Sequence, residues 1–546
     1  MSVSHKTWSF PGGLVLDGHK AESTSQSIAH MPLVSEYVLP LSQHIGEAAV
    51  PCVSVGDKVL KGQHIADAEG YVSVPLHAPT SGTITAIEDR DVPHPSGLKT
   101  ACIVLKADGE DNWCEHKPVD NYLDMDRSAL RNLIREAGIV GLGGAGFPSF
   151  IKLNAGPKAK VKKLILNGIE CEPFITCDDM LMRERAEQIV AGMRIMAHVL
   201  DADEMIIGIE DNKPEAIEAM KLATTGTKIQ IVVTPTRYPA GSEKQLIYTL
   251  TGKMVPSHGL PIDIGVVCHN VGTAVAVNNA ITHGRPLLSR IMTVTGPAVN
   301  NARNYEVLIG TPMCDVLAHC GVKQDDLGKL IMGGPMMGFA LHSCDSPVIK
   351  TCNCLLLERQ HDVEHVSPAK PCIRCGACAD VCPIKLMPQQ LYWHARARDF
   401  EKTEDYNLFD CIECGCCAHV CPSDIPLVQY YRFAKTEIWQ QQRDREKSDQ
   451  ARERHEFREV RLEREKREKA EKHKKRAQAL KPKTDKQSTE DAKKAVIEAA
   501  LARAKKKKEQ VQPKNVDHLT TEQQAKIDEA DARRESHQRA EQKDKA

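Results

Sequence analysis

The chain has 546 residues, more than a single hydrophobic core serves, so several domains are expected. A formal net charge of -1 gives no global electrostatic reason for a nucleic-acid partner, and none is expected. Aromatic residues make up 4%, no run approaches the roughly 18 apolar residues of a membrane helix, and the opening MSVSHKTWSFPGG lacks the charged and apolar regions of a secretory signal. A soluble or peripheral, unexported chain is expected, in which 20 cysteines speak for metal ligation rather than disulfides.

Residues 50–90 alternate apolar and polar positions between glycine-centred turns at Gly56 and Gly82, the pattern of short strands in a small β-barrel or sandwich within residues 1–120. The stretch resembles the lipoyl or biotinyl carrier fold, whose modified lysine sits at a hairpin tip. Here that tip reads Val74-Pro75-Leu76-His77-Ala78-Pro79 without a lysine, so a structural domain packed on a neighbour is expected.

Residues 121–285 alternate helical and strand patterns. RSALRNLIREAG, MLMRERAEQIVAGMRIMAHVL and PEAIEAMKLA read as helices; VKKLILNG, EMIIGIE and KIQIVVTP read as strands. Such alternation predicts an α/β domain with a parallel sheet and crossover helices. Residues 286–345 carry short strands, one helical pattern and glycine turns, and resemble the soluble-ligand-binding β-grasp module. Residues 431–546 shift to Lys, Arg, Glu, Gln and Ala with few large apolar side chains, which predicts a solvated tail, helical or disordered.

Between them, residues 360–430 hold Cys372-Ile-Arg-Cys375-Gly-Ala-Cys378-Ala-Asp-Val-Cys382-Pro and Cys411-Ile-Glu-Cys414-Gly-Cys-Cys417-Ala-His-Val-Cys421-Pro. Three thiolates at three-residue steps wrap one face of an iron–sulfur cubane, and Gly376 and Gly415 let the backbone approach it. In this bacterial ferredoxin spacing the fourth cysteine of each run ligates the other cluster. Cys372, Cys375, Cys378 and Cys421 are therefore assigned to one [4Fe-4S] centre, and Cys411, Cys414, Cys417 and Cys382 to a second. Zinc is the alternative, but paired CxxC ligands separated by a longer loop suit it better than this continuous run. Cys416 reads as a spare small residue, and Cys52, Cys102, Cys114, Cys268, Cys314, Cys320, Cys344, Cys352 and Cys354 as core or incidental positions.

Gly141-Leu142-Gly143-Gly144-Ala145-Gly146-Phe147 follows an amphipathic helix and precedes Lys152, and a glycine-rich loop can bring backbone N–H groups against phosphate. A strand then ends in Asn167-Gly168-Ile169-Glu170-Cys171-Glu172, and Tyr238-Pro-Ala-Gly241-Ser242-Glu243 and Asn270-Val-Gly-Thr273 come later. In order and spacing these segments resemble the NADH-binding flavoprotein subunit of respiratory complex I. The resemblance implies FMN among Gly141, Gly143, Gly144, Lys152, Asn167, Glu170, Tyr238, Gly241, Glu243, Asn270 and Thr273, with Phe147 and Glu172 toward NADH. Ile169 stands where those relatives usually have Asp, and Ser242 where they have the first of two adjacent Glu residues.

The whole order of domains resembles the RnfC family, the C-type component of the Rnf-type ion-translocating electron transport complex. That resemblance implies a peripheral subunit on the cytoplasmic face of a bacterial inner membrane. It would exchange electrons among NADH, FMN, two [4Fe-4S] clusters and partner subunits that move ions, with ferredoxin a further candidate carrier. Two rivals stay open: a soluble NADH-dependent flavin iron–sulfur reductase, and a relay subunit whose flavin pocket has decayed.

Overall fold

The computed structural model describes residues 6–156, 160–363, 368–479 and 490–509, divided between two compact units, Met1–Asp444 and Arg445–Ala546.

In the first unit, the strands Glu36–Pro40, Lys99–Ala107, Gly82–Asp91 and Lys58–Val59 pair antiparallel in that order. A second sheet of Val50–Pro51, His64–Asp67 and Leu76–His77 completes the expected barrel-sandwich around Tyr37, Leu39, Ile65, Ile84, Ile103 and Leu105. The tip segment is not displayed to solvent: Val74 packs in the flavin-domain core with Leu130 and Ile134, as a structural domain docked on a neighbour requires.

The central domain has four parallel strands, β1 (Lys163–Gly168), β2 (Glu204–Glu210), β3 (Ile229–Thr234) and β4 (Val266–Asn270), in the order β3-β2-β1-β4. Around them lie helices α1 (Arg127–Glu136), α2 (Cys177–Glu184), α3 (Ala186–Leu200) and α4 (Val271–His283). The chain steps outward from β1 through β2 to β3 and returns to the opposite side of β1 as β4. The order reverses between β1 and β4, and α/β sheets bind ligands outside the carboxyl ends of strands at such a point. The single helix predicted over 180–200 is two helices, because Arg185 leaves the helical conformation at φ -130° and ψ 32°. Its guanidinium instead pairs with the Glu306 carboxylate of the β-grasp module.

That module is built on a six-stranded sheet ordered Ala29–His30, Arg303–Leu308, Ser289–Thr295, Cys354–Arg359, Leu327–Met332, Phe339–Ala340, with the helix Met313–His319 against it. Two of its strands come from outside residues 286–345. Cys314 and Cys344, expected as incidental positions in a chain without disulfides, instead form a disulfide in this module. The Cys314 amide donates to the Cys344 carbonyl at 2.8 Å and the Cα atoms lie 4.9 Å apart, which brings the two sulfurs within bonding reach. The cellular compartment governs the oxidant and not this geometry.

The cysteine-rich domain packs around Leu391, Tyr392, Ala395, Leu408, Ile425, Leu427 and Tyr431, and its core continues through Ala434 to Ile438 on the helix Leu427–Ala479. In the second unit the described residues lie on this helix and on Glu490–Glu509. Their side chains are exposed where described, and ion pairs at four-residue spacing such as Arg461–Glu465 and Arg464–Glu468 support the first helix. Among the described residues no helix is long and apolar enough to cross a membrane.

Residues 8–30, read from sequence as part of the barrel, run across the other modules. The Trp8 amide donates to Thr249 O at 3.0 Å, Phe10 enters the core beside β1 and β4, and the Gly13 amide donates to Val381 O at 2.9 Å. The half-buried Lys20 donates through its ammonium to the carbonyls of Glu170 (2.6 Å), Glu172 (2.9 Å) and Ile175 (2.5 Å).

Candidate functional site

The eight cysteines of the two runs line two small cavities. One is bounded by Cys372, Cys375, Cys378 and Cys421, the other by Cys382, Cys411, Cys414 and Cys417 with Cys416 beside them. This is the crossed grouping expected from the spacing, each cavity taking three thiols from one run and the fourth from the other. The loops turn at Gly376 (φ 85°) and Gly415 (φ 80°), and also at two side-chain-bearing residues, Arg374 (φ 60°) and Glu413 (φ 57°). Four thiols around an otherwise apolar void fit a cubane. Tetrahedral zinc, with Zn–S bonds of about 2.3 Å, would draw its sulfurs to about 3.8 Å. Among the described residues the triads of metal-ligating side chains with donor atoms inside 4.8 Å are Cys52/His64/Asp67, Cys314/Cys344/Asp345 and Glu170/Cys177/Asp178, and none includes a cysteine of these runs.

The two cavities differ in setting. The second is seated on the flavin domain: the Tyr238 hydroxyl donates to Cys414 O at 2.6 Å, Lys244 pairs with Asp410 at 3.0 Å, and Tyr238, Cys414 and Cys416 bury one another against Cys171 and Met336. The first opens outward, with Cys375 exposed and Ile373 at 68% of full exposure.

The predicted flavin residues gather at the carboxyl ends of β1 and β4. The glycine loop is closed by the Gly141 amide donating to Phe147 O at 2.8 Å, and anchored by the Leu142 amide donating to Thr273 Oγ1 at 3.0 Å. Among the described residues the amides of Gly143, Gly144 and Ala145 meet no acceptor. Gly144 takes φ 108° with nothing within 4 Å of where a Cβ would stand, while Gly143 lies against Asn270. Asn270 caps α4 by accepting from the Gly272 amide at 2.8 Å and donates to Asp178 at 2.6 Å. Asn167 donates to Gly241 O at 2.8 Å, and half-open at the rim Lys152 pairs with Glu243 at 2.5 Å. An open cradle of free amides beside a partly exposed cation fits a phosphate-bearing flavin.

Three predicted residues face elsewhere. Glu172 Oε1 accepts from the amides of Met336 (2.7 Å) and Met337 (3.0 Å) in the β-grasp module, and Tyr238 is committed to Cys414. Glu170 caps α2 by accepting from the amides of Asp178 (2.7 Å) and Asp179 (3.1 Å); burial pushes its carboxyl well up, with the Lys20 charge opposing. Ile169 is fully buried among Leu246, Val232 and Ile206, so the departure from Asp is absorbed by the core.

Sequence reasoning missed three cations that brace the cleft, the buried Arg290 and Lys350 and the half-buried Lys20. Lys20 caps the loop after β1, as described above. Arg290 donates to Leu142 O (3.0 Å) and Cys352 O (3.2 Å), and Lys350 to Gly138 O (2.7 Å) and Pro75 O (3.1 Å). Each stands alone in its segment without a motif, so periodicity carried no signal for them.

Four families match the chain: residues 8–110 the RnfC barrel sandwich hybrid domain, 134–279 the Nuo51 FMN-binding domain, 291–340 the SLBB domain and 371–425 the 4Fe-4S dicluster domain. The C-type component of the ion-translocating oxidoreductase complex of Haemophilus influenzae (strain 86-028NP) is 44% identical over 520 residues, 95% of this chain and 78% of that protein. The chain belongs to the RnfC family of ion-translocating oxidoreductase complex subunits. Members of that family from Pseudomonas aeruginosa, 50% identical over 84% of this chain, and Vibrio cholerae, 46% identical over 93%, are longer. The chain spans 59% and 66% of their lengths. As an RnfC-family protein it carries an FMN-binding domain and a 4Fe-4S dicluster domain, in the order the sequence predicts.

Proposed function

We propose that this chain is the peripheral electron-input subunit of a membrane-bound complex that couples electron transfer to ion translocation. It would sit on the cytoplasmic face of the bacterial inner membrane and work between NADH and its partner subunits, with ferredoxin as a further candidate carrier. Gly143, Gly144 and Ala145 would bind the FMN phosphate through their amides, and Lys152 would balance its charge. Bound FMN accepts a hydride as a two-electron packet and releases single electrons, a chemistry that asks the protein for positioning rather than for an acid or base. Cys382, Cys411, Cys414 and Cys417 would hold the [4Fe-4S] centre beside the flavin domain, and Cys372, Cys375, Cys378 and Cys421 the centre that faces the partner.

The observation that carries this reading is the Tyr238–Cys414 contact. Tyr238 lies three residues before Gly241, whose carbonyl is held by Asn167 at the cleft, so one short backbone segment and one 2.6 Å hydrogen bond join cleft to cluster loop. The commitment of Tyr238 and Glu172 to internal contacts favours a second reading, an electron relay that does not itself oxidise NADH. Anaerobic purification with iron, sulfide and flavin quantification, and spectra before and after NADH, separates the two. About eight irons and one FMN bleached by NADH support the first; full iron and flavin without bleaching selects the relay.

A further inference from the structure

Two centres with the same four-thiolate ligation differ in reduction potential only through their surroundings, chiefly nearby charge, hydrogen bonding and exposure. The two halves of the dicluster domain are matched in sequence but not in charge. In the second loop Glu413, held in the left-handed region, is clamped from the root of the long helix: Lys435 Nζ donates to Glu413 Oε1 at 2.8 Å and Arg432 Nε to Glu413 Oε2 at 2.8 Å. Lys435 also donates to Cys411 O at 2.7 Å and is 7% exposed.

Among the described residues the first loop has no such clamp. Its equivalent of Glu413 is Arg374, equally left-handed and turned to solvent. Arg396 follows Ala395 as Lys435 follows Ala434, but it reaches the Tyr392 hydroxyl at 3.2 Å and not a cysteine loop. Near the second cavity the Lys244–Asp410 pair cancels, and burial pushes the Glu172 carboxyl up toward neutrality. The single Glu413 carboxylate is shared between Lys435 and Arg432, so the trio carries one net positive charge, and Lys435, 7% exposed against 41% for the Arg432 side chain, holds its share where solvent screens least.

We infer that Lys435 is a positioning residue that raises the reduction potential of the centre held by Cys382, Cys411, Cys414 and Cys417 and so tilts the electron toward the flavin-facing side. The physical reason is that an electron added to this centre feels a buried cation across a low-dielectric gap, and the partner centre does not. The root of the charged helix thereby becomes part of the redox machinery. The inference rests on each thiol set holding a [4Fe-4S] centre.

The test is an EPR-monitored redox titration of the full chain with both centres loaded, the two signals told apart by Cys378→Ser. Lys435→Met is expected to lower the reduced-to-oxidised ratio of the second centre at a fixed potential, on the order of tenfold, with the first centre unmoved; Lys435→Arg keeps the wild-type ratio. Glu413→Gln is expected to move the same ratio the opposite way, a reversal that a merely structural role would not produce, and it decides the matter if Lys435→Met fails to retain iron. Unchanged ratios in both variants, or shifts of the same sign, overturn the inference. A wild-type chain that binds no cubane iron overturns the underlying cluster reading instead.

Discussion

Lys350 offers a sharp test of how the modules are held together. Its side chain is 2% exposed and donates to two carbonyls, Gly138 O just before the glycine loop and Pro75 O in the barrel. Burial alone pushes its ammonium down from 10.5 to about 7. In the unfolded chain the amine stays charged up to about pH 10.5, whereas in the folded chain it is neutral above about pH 7, so between these values the unfolded state binds more protons and stability rises with pH. The penalty for the buried charge is present in full below pH 7 and is relieved as pH climbs. At about 1.36 kcal/mol per unit the relief between pH 6 and pH 9 is about 3 kcal/mol. Lys350→Met removes the titration and leaves two carbonyls without their donor, about 1 kcal/mol each. The full penalty below pH 7 is about 5 kcal/mol and about 2 kcal/mol of it is left at pH 9, so the variant is expected to exceed the wild type by about 3 kcal/mol at pH 6 and to match it at pH 9. Urea unfolding followed by tryptophan fluorescence at pH 6, 7, 8 and 9 reads the difference. Parallel curves for the two proteins would refute the reasoning.

Lys152→Ala removes the cation at the rim of the cradle and is expected to weaken FMN binding 10- to 100-fold, roughly the worth of a charge-assisted hydrogen bond, measured by flavin fluorescence titration. Gly144→Val forces a β-branched side chain to φ 108° and should abolish flavin uptake while the circular dichroism spectrum is kept. Cys378→Ser should cost about four of eight irons, since the other thiol set does not use it. Tyr238→Phe keeps the packed ring and loses the bond to Cys414 O, so hydrogen exchange in the Cys411–Cys417 loop should quicken about fivefold, the equivalent of about 1 kcal/mol.

The cluster cysteines were legible because three-residue spacing is itself the geometry of a cubane face, and the β1 to β4 sheet because alternating helix and strand patterns are local. The glycine loop was legible as a turn for the same reason, since its glycines are neighbours in the sequence. The directions of Glu172 and Tyr238 were not, because their partners Met336, Met337 and Cys414 lie far along the chain and no local pattern encodes such a docking. Nor was the break at Arg185, where helical periodicity continues through a residue that an ion pair to Glu306 pulls out of the helix. The strand Ala29–His30 is two residues long, too short for any alternation to show, and exists only because Tyr305 and Glu306 offer it an edge.

The path of residues 8–30 bears on how the chain is made. This segment leaves the ribosome before the modules it joins, and its partners at Thr249, Tyr305 and Val381 are synthesised hundreds of residues later. Its ordering must wait for modules that have each already folded, since contacts of such long sequence separation close late. A stretch made before its partners then settles after them, and the glycine at position 13, which reaches the loop of Cys382, can report that the redox modules have docked.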